Sequence, residues 1–322
     1  MTDTALPDTA LSDPALPDTA LSDPALSDTA LSGSDRSGSA LPDRRDVLVT
    51  PEELEEALAS PEPPLVLDVR WRLDRPDGRP AYLDGHVPGA VYVDLDHELA
   101  EHGDPADGRH PLPPIDALQE AARGWGLRQG QAVVVYDDLK NLSSARAWWL
   151  LRAAGVAEVR LLDGSLRAWT GSGRALETGP VTPVRGDVEL AYGALPVLDI
   201  DAAAAFPSHG VLLDARAPER YRGDVEPIDP RAGHIPGALN APATDNVDSE
   251  GRFLPSSELR ARFEAVGVRA DAPVGVYCGS GVTAAADAVA LTLAGFAPRL
   301  YPGSWSQWSN TPGRPVATGP SA

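Results

Sequence analysis

Cys278 is the single cysteine of a 322-residue chain, and it opens the run Cys278-Gly279-Ser280-Gly281-Val282-Thr283-Ala284. The apolar stretch Val274 to Tyr277 precedes it, and Ala285 to Leu293 follows with a helical pattern. A strand, a glycine loop and a helix in that order make an anion-binding geometry, because the backbone N–H groups of the loop and helix start converge on one point. Gly279 and Gly281 let the backbone curl so that several N–H groups face the sulfur, while the helix N-terminus adds about half a positive charge. These surroundings favour thiolate over thiol, and the thiolate is the nucleophile. A buried structural cysteine is the simpler alternative. It has no need of a glycine on each side of Ser280. With one cysteine there is neither an intramolecular disulfide nor a Cys-rich zinc site.

Several polar residues are candidates to serve that thiol. Ser280 is placed to relay a proton or donate a hydrogen bond to a substrate, or else to bond only its own loop. In the run Asp214 to Arg222, the arginines 216, 220 and 222 are candidates to clamp an anion; Arg216 equally reads as an ion-pair partner of its neighbours. Thr283 is expected to cap the helix or hold the loop, and Trp305 and Trp308 to pack between domains. His97, His102 and His110 crowd one segment, but their spacing suits neither a helical pair nor a compact ligand set, so no metal is assigned. A phosphatase of the Cys-x5-Arg kind needs arginine at position 284, which is alanine.

The elements that position these residues occur twice. Leu65-Val66-Leu67-Asp68-Val69-Arg70 is answered by Val211-Leu212-Leu213-Asp214-Ala215-Arg216, apolar runs that suit buried parallel strands. Gly85-His86-Val87-Pro88-Gly89-Ala90 is answered by Gly233-His234-Ile235-Pro236-Gly237-Ala238. The strand before Cys278 matches Ala132 to Asp137, each followed by a helical pattern ending at Gly295 or Gly155. Finally, Gly164-Ser165 with Trp169 matches Gly303-Ser304 with Trp308. The chain is therefore a tandem duplication of an α/β unit with a mainly parallel sheet flanked by helices. Residues 43–170 and 194–322 are the two expected domains, and the Gly/Pro/Thr-rich segment 171–193 is the expected surface linker, with the boundary near Pro180. Asp137 stands where the second half has Cys278. It is no sulfur nucleophile, and its loop lacks the glycines expected to wrap an anion, so the first half reads as inactive and structural.

Residues 1–42 contain a recurring five-residue unit with an aspartate in almost every copy and no aromatic residue, a composition expected to be disordered. The tail has no basic residue before Arg36, unlike a secretory signal, which makes the cytoplasm the expected location. A net charge of −20 argues against nucleic acid as a partner, and no apolar run reaches the ~20 residues that span a membrane.

The paired Gly-His-Val/Ile-Pro-Gly-Ala segments, the Cys278-to-Thr283 loop and the terminal Gly303-Ser304-Trp305 resemble a tandem-domain rhodanese-family sulfurtransferase over about residues 45 to 312. The resemblance implies two rhodanese-like domains and a persulfide on Cys278 in a double-displacement cycle without a cofactor. It implies that Gly279, Ser280, Gly281, Val282 and Thr283 line the substrate site and that Arg220 binds substrate. Thiosulfate-using relatives often place basic residues just after the cysteine; Gly279 and Ser280 stand there instead, which resembles the 3-mercaptopyruvate type. A second substrate arginine of that type has no clean match in Glu226-Pro227-Ile228-Asp229-Pro230-Arg231, where Arg231 is the candidate substitute. The resemblance also implies a first-domain histidine and aspartate near Ser280. His86 sits at the matching motif, and none of Asp74, Asp77 and Asp84 fits cleanly. A small-molecule sulfur donor and cyanide, a thiol or thioredoxin as acceptor are the implied partners, and the active/inactive pairing places the site between domains. Many rhodanese-like domains only bind partners, but these typically lack the cysteine or the glycines that this chain keeps.

Overall fold

The computed structural model describes Leu41 and residues 43–320; the expected disordered tail therefore lies, Leu41 apart, outside the described residues. Two all-parallel sheets organise the chain. The first contains β1 (Leu48–Val49), β2 (Leu65–Asp68), β3 (Val91–Tyr92), β4 (Val133–Tyr136) and β5 (Val159–Leu162), in the order β1-β5-β4-β2-β3. The second contains β6 (Val211–Asp214), β7 (Leu239–Asn240), β8 (Val274–Tyr277) and β9 (Pro298–Leu300), in the order β7-β6-β8-β9. Both β4 and β8 are buried along their whole length, which explains their unbroken apolar sequences.

The duplication extends to register and to single hydrogen bonds. Asp68 pairs with Tyr136 across β2 and β4, as Asp214 pairs with Tyr277 across β6 and β8. Arg70 forks onto Asp68 at 2.6 Å and donates to the Gly85 carbonyl; Arg216 forks onto Asp214 at 2.6 Å and donates to the Gly233 carbonyl. Each Gly-His-x-Pro-Gly-Ala turn is built alike. His86 stacks on Tyr82 and His234 on Tyr221, and each histidine bonds the carbonyl of the tyrosine it covers. The tyrosine hydroxyls then donate to the carbonyls of Ala90 and Ala238.

The helices that follow β4 and β8, Ser144–Ala153 and Thr283–Leu293, pack on one another. Alanines at 284, 285, 286, 288 and 290 leave room for Trp148, Leu150 and Leu151, so one apolar core runs through both halves. Burying a side chain such as Leu150 contributes about 1.5–3 kcal/mol. Residues 171–193 are fastened to the first half: Val188 and Leu190 are buried, and Gly186 and Ala191 donate to the carbonyls of Arg123 and Ala154. Trp305 and Trp308, expected between the domains, instead sit in the second half's own cluster with Phe206, Ile235 and Tyr277. Their indole N–H groups are drawn there by the carbonyls of Arg231 and Pro315. No helix among the described residues is long and apolar enough to cross a membrane.

Candidate active site

Cys278 leaves the end of β8 fully buried. Its backbone is pinned on both sides, the N–H donating to Ser304 Oγ and the carbonyl accepting from Trp305 N–H. The Gly281 N–H donates to Sγ at 3.1 Å, one donor among the described residues rather than the several expected. Gly281 has φ +79°, and a Cβ there would lie 2.4 Å from the Pro302 carbonyl oxygen, so this turn admits only glycine. Val282 is buried at the helix start, and neither it nor Thr283 supplies the expected side-chain cap.

The first half completes the site. Ser280 Oγ lies 2.8 Å from His110 Nδ1, and His110 Nε2 lies 3.1 Å from Asp96 Oδ1. An ionised Asp96 only accepts, so the ring proton sits on Nε2 and Nδ1 is left to accept from the Ser280 hydroxyl. Burial pushes the His110 pKa down; Asp96 opposes this, Arg146 adds to it, and the net direction is downward. At Asp96 burial is the largest influence and pushes upward, but the hydrogen bond from His110 and the other groups around the carboxyl together outweigh it and hold it below its ordinary value. His86, the sequence's candidate relay, is corrected by this geometry: its ring is committed to Tyr82 and faces Glu177 inside the first half. A turn motif fixed its role before any substrate chemistry.

Of the candidate arginines, only Arg220 reaches the loop. Its Nη1 and Arg109 Nη2 are the groups nearest to a Cβ built on Gly279, at 3.4 and 3.1 Å. Arg216 is spent on Asp214, the Gly233 carbonyl and Glu226, with its guanidinium over the Trp305 ring, so the expected substrate contact is withdrawn. Arg222 pairs with Asp224. Arg231, the candidate substitute, donates to the carbonyls of Trp308, Ser309, Thr311 and Arg314 and thereby ties down the end of the last helix.

Arg146, on the helix Ser144–Ala153, is wholly buried and has no carboxylate partner among the described residues. It donates to the carbonyls of Gly281, Leu99, His110 and Pro111, joining the cysteine loop to the histidine segment. Burial pushes its pKa down to about 10, with Tyr192 and Cys278 acting in the other direction.

The loop after β4 corrects a second expectation. Without glycine it still wraps an anion, because Lys140 and Asn141 adopt positive φ (59° and 62°). The anion is its own: Asp137 accepts from the N–H groups of Leu139, Asn141, Ser143 and Ser144 and from the hydroxyls of Ser144 and Ser165.

The family model for the rhodanese-like domain matches twice, over residues 50–172 and 200–311. The chain belongs to the rhodanese family. This rhodanese is 49% identical over 279 residues to the Mycobacterium tuberculosis protein named "Putative thiosulfate sulfurtransferase SseB", covering 86% of this chain and 98% of the relative. It is also 49% identical over 282 residues to the "Probable 3-mercaptopyruvate sulfurtransferase" of Pseudomonas aeruginosa, covering 84% and 98%. Among solved structures it resembles SseA from Escherichia coli, described as a 3-mercaptopyruvate sulfotransferase, with a TM-score of 0.72, 36% identity and coverage of 80% and 98%. The rhodanese is a sulfurtransferase.

Asp96, Arg109 and Arg146 were not singled out in the sequence, and His110 was weighed there only as a metal ligand. One signal was present. Gly108-Arg109-His110-Pro111-Leu112-Pro113 has a counterpart in Gly251-Arg252-Phe253-Leu254-Pro255, so the histidine segment belongs to the repeat and differs where a proton could be carried.

Proposed function

We propose that this rhodanese transfers sulfur from 3-mercaptopyruvate through a Cys278 persulfide. The observation that supports the donor is the Ser280–His110–Asp96 chain, which ends two residues from the nucleophile. The Cys278 thiolate attacks the donor sulfur, the C–S bond breaks, and its electron pair leaves on carbon as the enolate of pyruvate. That enolate needs a proton. Ser280 and His110 can take the proton of the donor thiol and return it to the enolate, a task within reach of a histidine whose pKa is held low by burial. Cyanide or a thiol, including that of thioredoxin, then attacks the terminal sulfur of the persulfide and regenerates the Cys278 thiolate. Arg220 is assigned to the donor carboxylate.

The first domain, residues 43–170, acts as a structural partner that lends the relay; the second, residues 194–322, carries the nucleophile, with 171–193 between them. A reducing compartment suits an enzyme with one essential thiol, and we place it in the cytoplasm.

Thiosulfate is the second reading, favoured by the two guanidinium groups at Gly279. Its sulfite leaving group requires no proton. Comparing kcat/KM for both donors with cyanide as acceptor decides between them. A clear preference for 3-mercaptopyruvate, lost in Cys278→Ser, is expected; a preference for thiosulfate overturns the donor assignment.

A further inference from the structure

We infer that Arg109 and Asp229 form a donor-selecting couple: Arg109 supplies, from the first domain, the second guanidinium of the donor-carboxylate clamp, and Asp229 sets the clamp's net charge. The inference rests on the sulfur-transfer reading above.

Arg109 Nη1 pairs with Asp229 Oδ1, while Arg220 Nη2 reaches Asp229 Oδ2 at 3.4 Å and Glu226 Oε1 at 2.6 Å. One carboxylate thus spans two arginines carried by different domains. The nitrogens left over are Arg109 Nη2 and Arg220 Nη1, which donate to no partner among the described residues. These same two atoms face Gly279, next to the nucleophile. Arg109 Nε is likewise buried without a partner. Paired donors aimed at one glycine form a fork for a carboxylate, which binds two parallel N–H groups best. Gly279 matters because any side chain there would fill the fork.

The charge count then bears on donor choice. Arg109 and Arg220 bring two positive charges, and Glu226 and Asp229 bring two negative ones. Glu226 is further held by Arg216, itself paired with Asp214, whereas Asp229 belongs to the fork alone. Its side chain is 2% exposed, so its field is weakly screened. A fork so balanced accepts the single charge of a keto-acid carboxylate more readily than the two charges of thiosulfate.

The test is steady-state kinetics on the full chain with 3-mercaptopyruvate and thiosulfate, cyanide as acceptor, for wild type, Arg109→Gln, Arg109→Lys and Asp229→Asn. Arg109→Gln is expected to raise KM for 3-mercaptopyruvate roughly 10- to 100-fold with a smaller change in kcat. Arg109→Lys, which keeps the charge but not the fork, should fall between. Asp229→Asn is expected to move the kcat/KM ratio toward thiosulfate by roughly 10-fold. Melting temperature and the rate of Cys278 alkylation by neutral iodoacetamide report folding and an intact nucleophile. If both Arg109 variants keep wild-type KM, or lose kcat alone, Arg109 is not in the clamp. If Asp229→Asn changes both donors equally, it is not the selector. A wild type inert toward both donors overturns the sulfur-transfer reading itself, a failure distinct from these.

Discussion

The two halves of the chain enclose one side chain each, at the ends of the equivalent strands β4 and β8, and do opposite things with it. Asp137 is met by four backbone N–H groups and two hydroxyls, while the sulfur of Cys278 is met by a single N–H from Gly281. The crossings between the halves are reciprocal too. Gly108 lies against the Gly303 carbonyl and sends Arg109 and His110 to the cysteine loop. Gly251 lies against Lys140, and Phe253 reaches Asp163 with only its backbone N–H. The two loops therefore offer the side chain they enclose very different surroundings. The first-half nest is saturated by its own carboxylate, and the turn that visits it ends in a ring that carries no proton. The second half leaves its buried atom under-coordinated, and the two halves together place around it the Ser280–His110–Asp96 chain and the guanidinium groups of Arg109 and Arg220.

The comparison breaks most sharply at Asp137. Asp137→Ala strips the acceptor from six donors at once and should cost about 3–5 kcal/mol, read as a drop in denaturation midpoint. If stability is unchanged, the nest is incidental.

Asp287 is the contrasting carboxyl of the second half. Its Oδ1 accepts from Asn246 at 2.5 Å, its Oδ2 is unpartnered among the described residues, and burial pushes its pKa up from 3.8 to about 8. The folded state therefore binds the proton more tightly than the unfolded chain, so its contribution is largest below 3.8 and is lost as pH rises to about 8. Asp287→Asn removes that slope, gaining about 2–4 kcal/mol over wild type between about pH 5 and about pH 9. Equal slopes in the two proteins would show that the carboxyl titrates normally.

His110→Gln should lower kcat with 3-mercaptopyruvate roughly 100-fold and leave thiosulfate nearly unaffected, since only the first donor needs a proton on its leaving group. In wild type, activity with 3-mercaptopyruvate falls as pH drops through the depressed His110 value, and Asp96→Asn moves that limb lower still. Equal losses with both donors would make the chain a structural brace. The smallest effect belongs to Thr283→Ala, expected within about 0.5 kcal/mol because no side-chain cap exists to lose.

The duplication was legible because strand runs, turn glycines and the Gly-His-x-Pro-Gly-Ala segments obey local rules that act within a few residues. The cysteine loop was legible for the same reason. The relay was not: His110 and Ser280 stand 170 positions apart and meet where the two halves pack, the helices after β4 and β8 against one another and the segment before His110 against the last helix. Arg216 and Arg220 look alike in sequence, and the difference lies in Asp214, which takes the first before a substrate could. The Asp137 nest was misread because positive φ at Lys140 and Asn141 is stabilised by the hydrogen bonds it permits, a balance that residue type alone does not reveal.

The central claim is that sulfur rests on Cys278. Intact-protein and peptide mass spectrometry after a single exposure to 3-mercaptopyruvate, with pyruvate measured in parallel, tests it directly. The expected result is the mass of one added sulfur atom on the peptide holding Cys278, pyruvate released in equal amount, and loss of the added mass on mixing with cyanide. Pyruvate released without any sulfur on that peptide, or sulfur retained by Cys278→Ser, would contradict it.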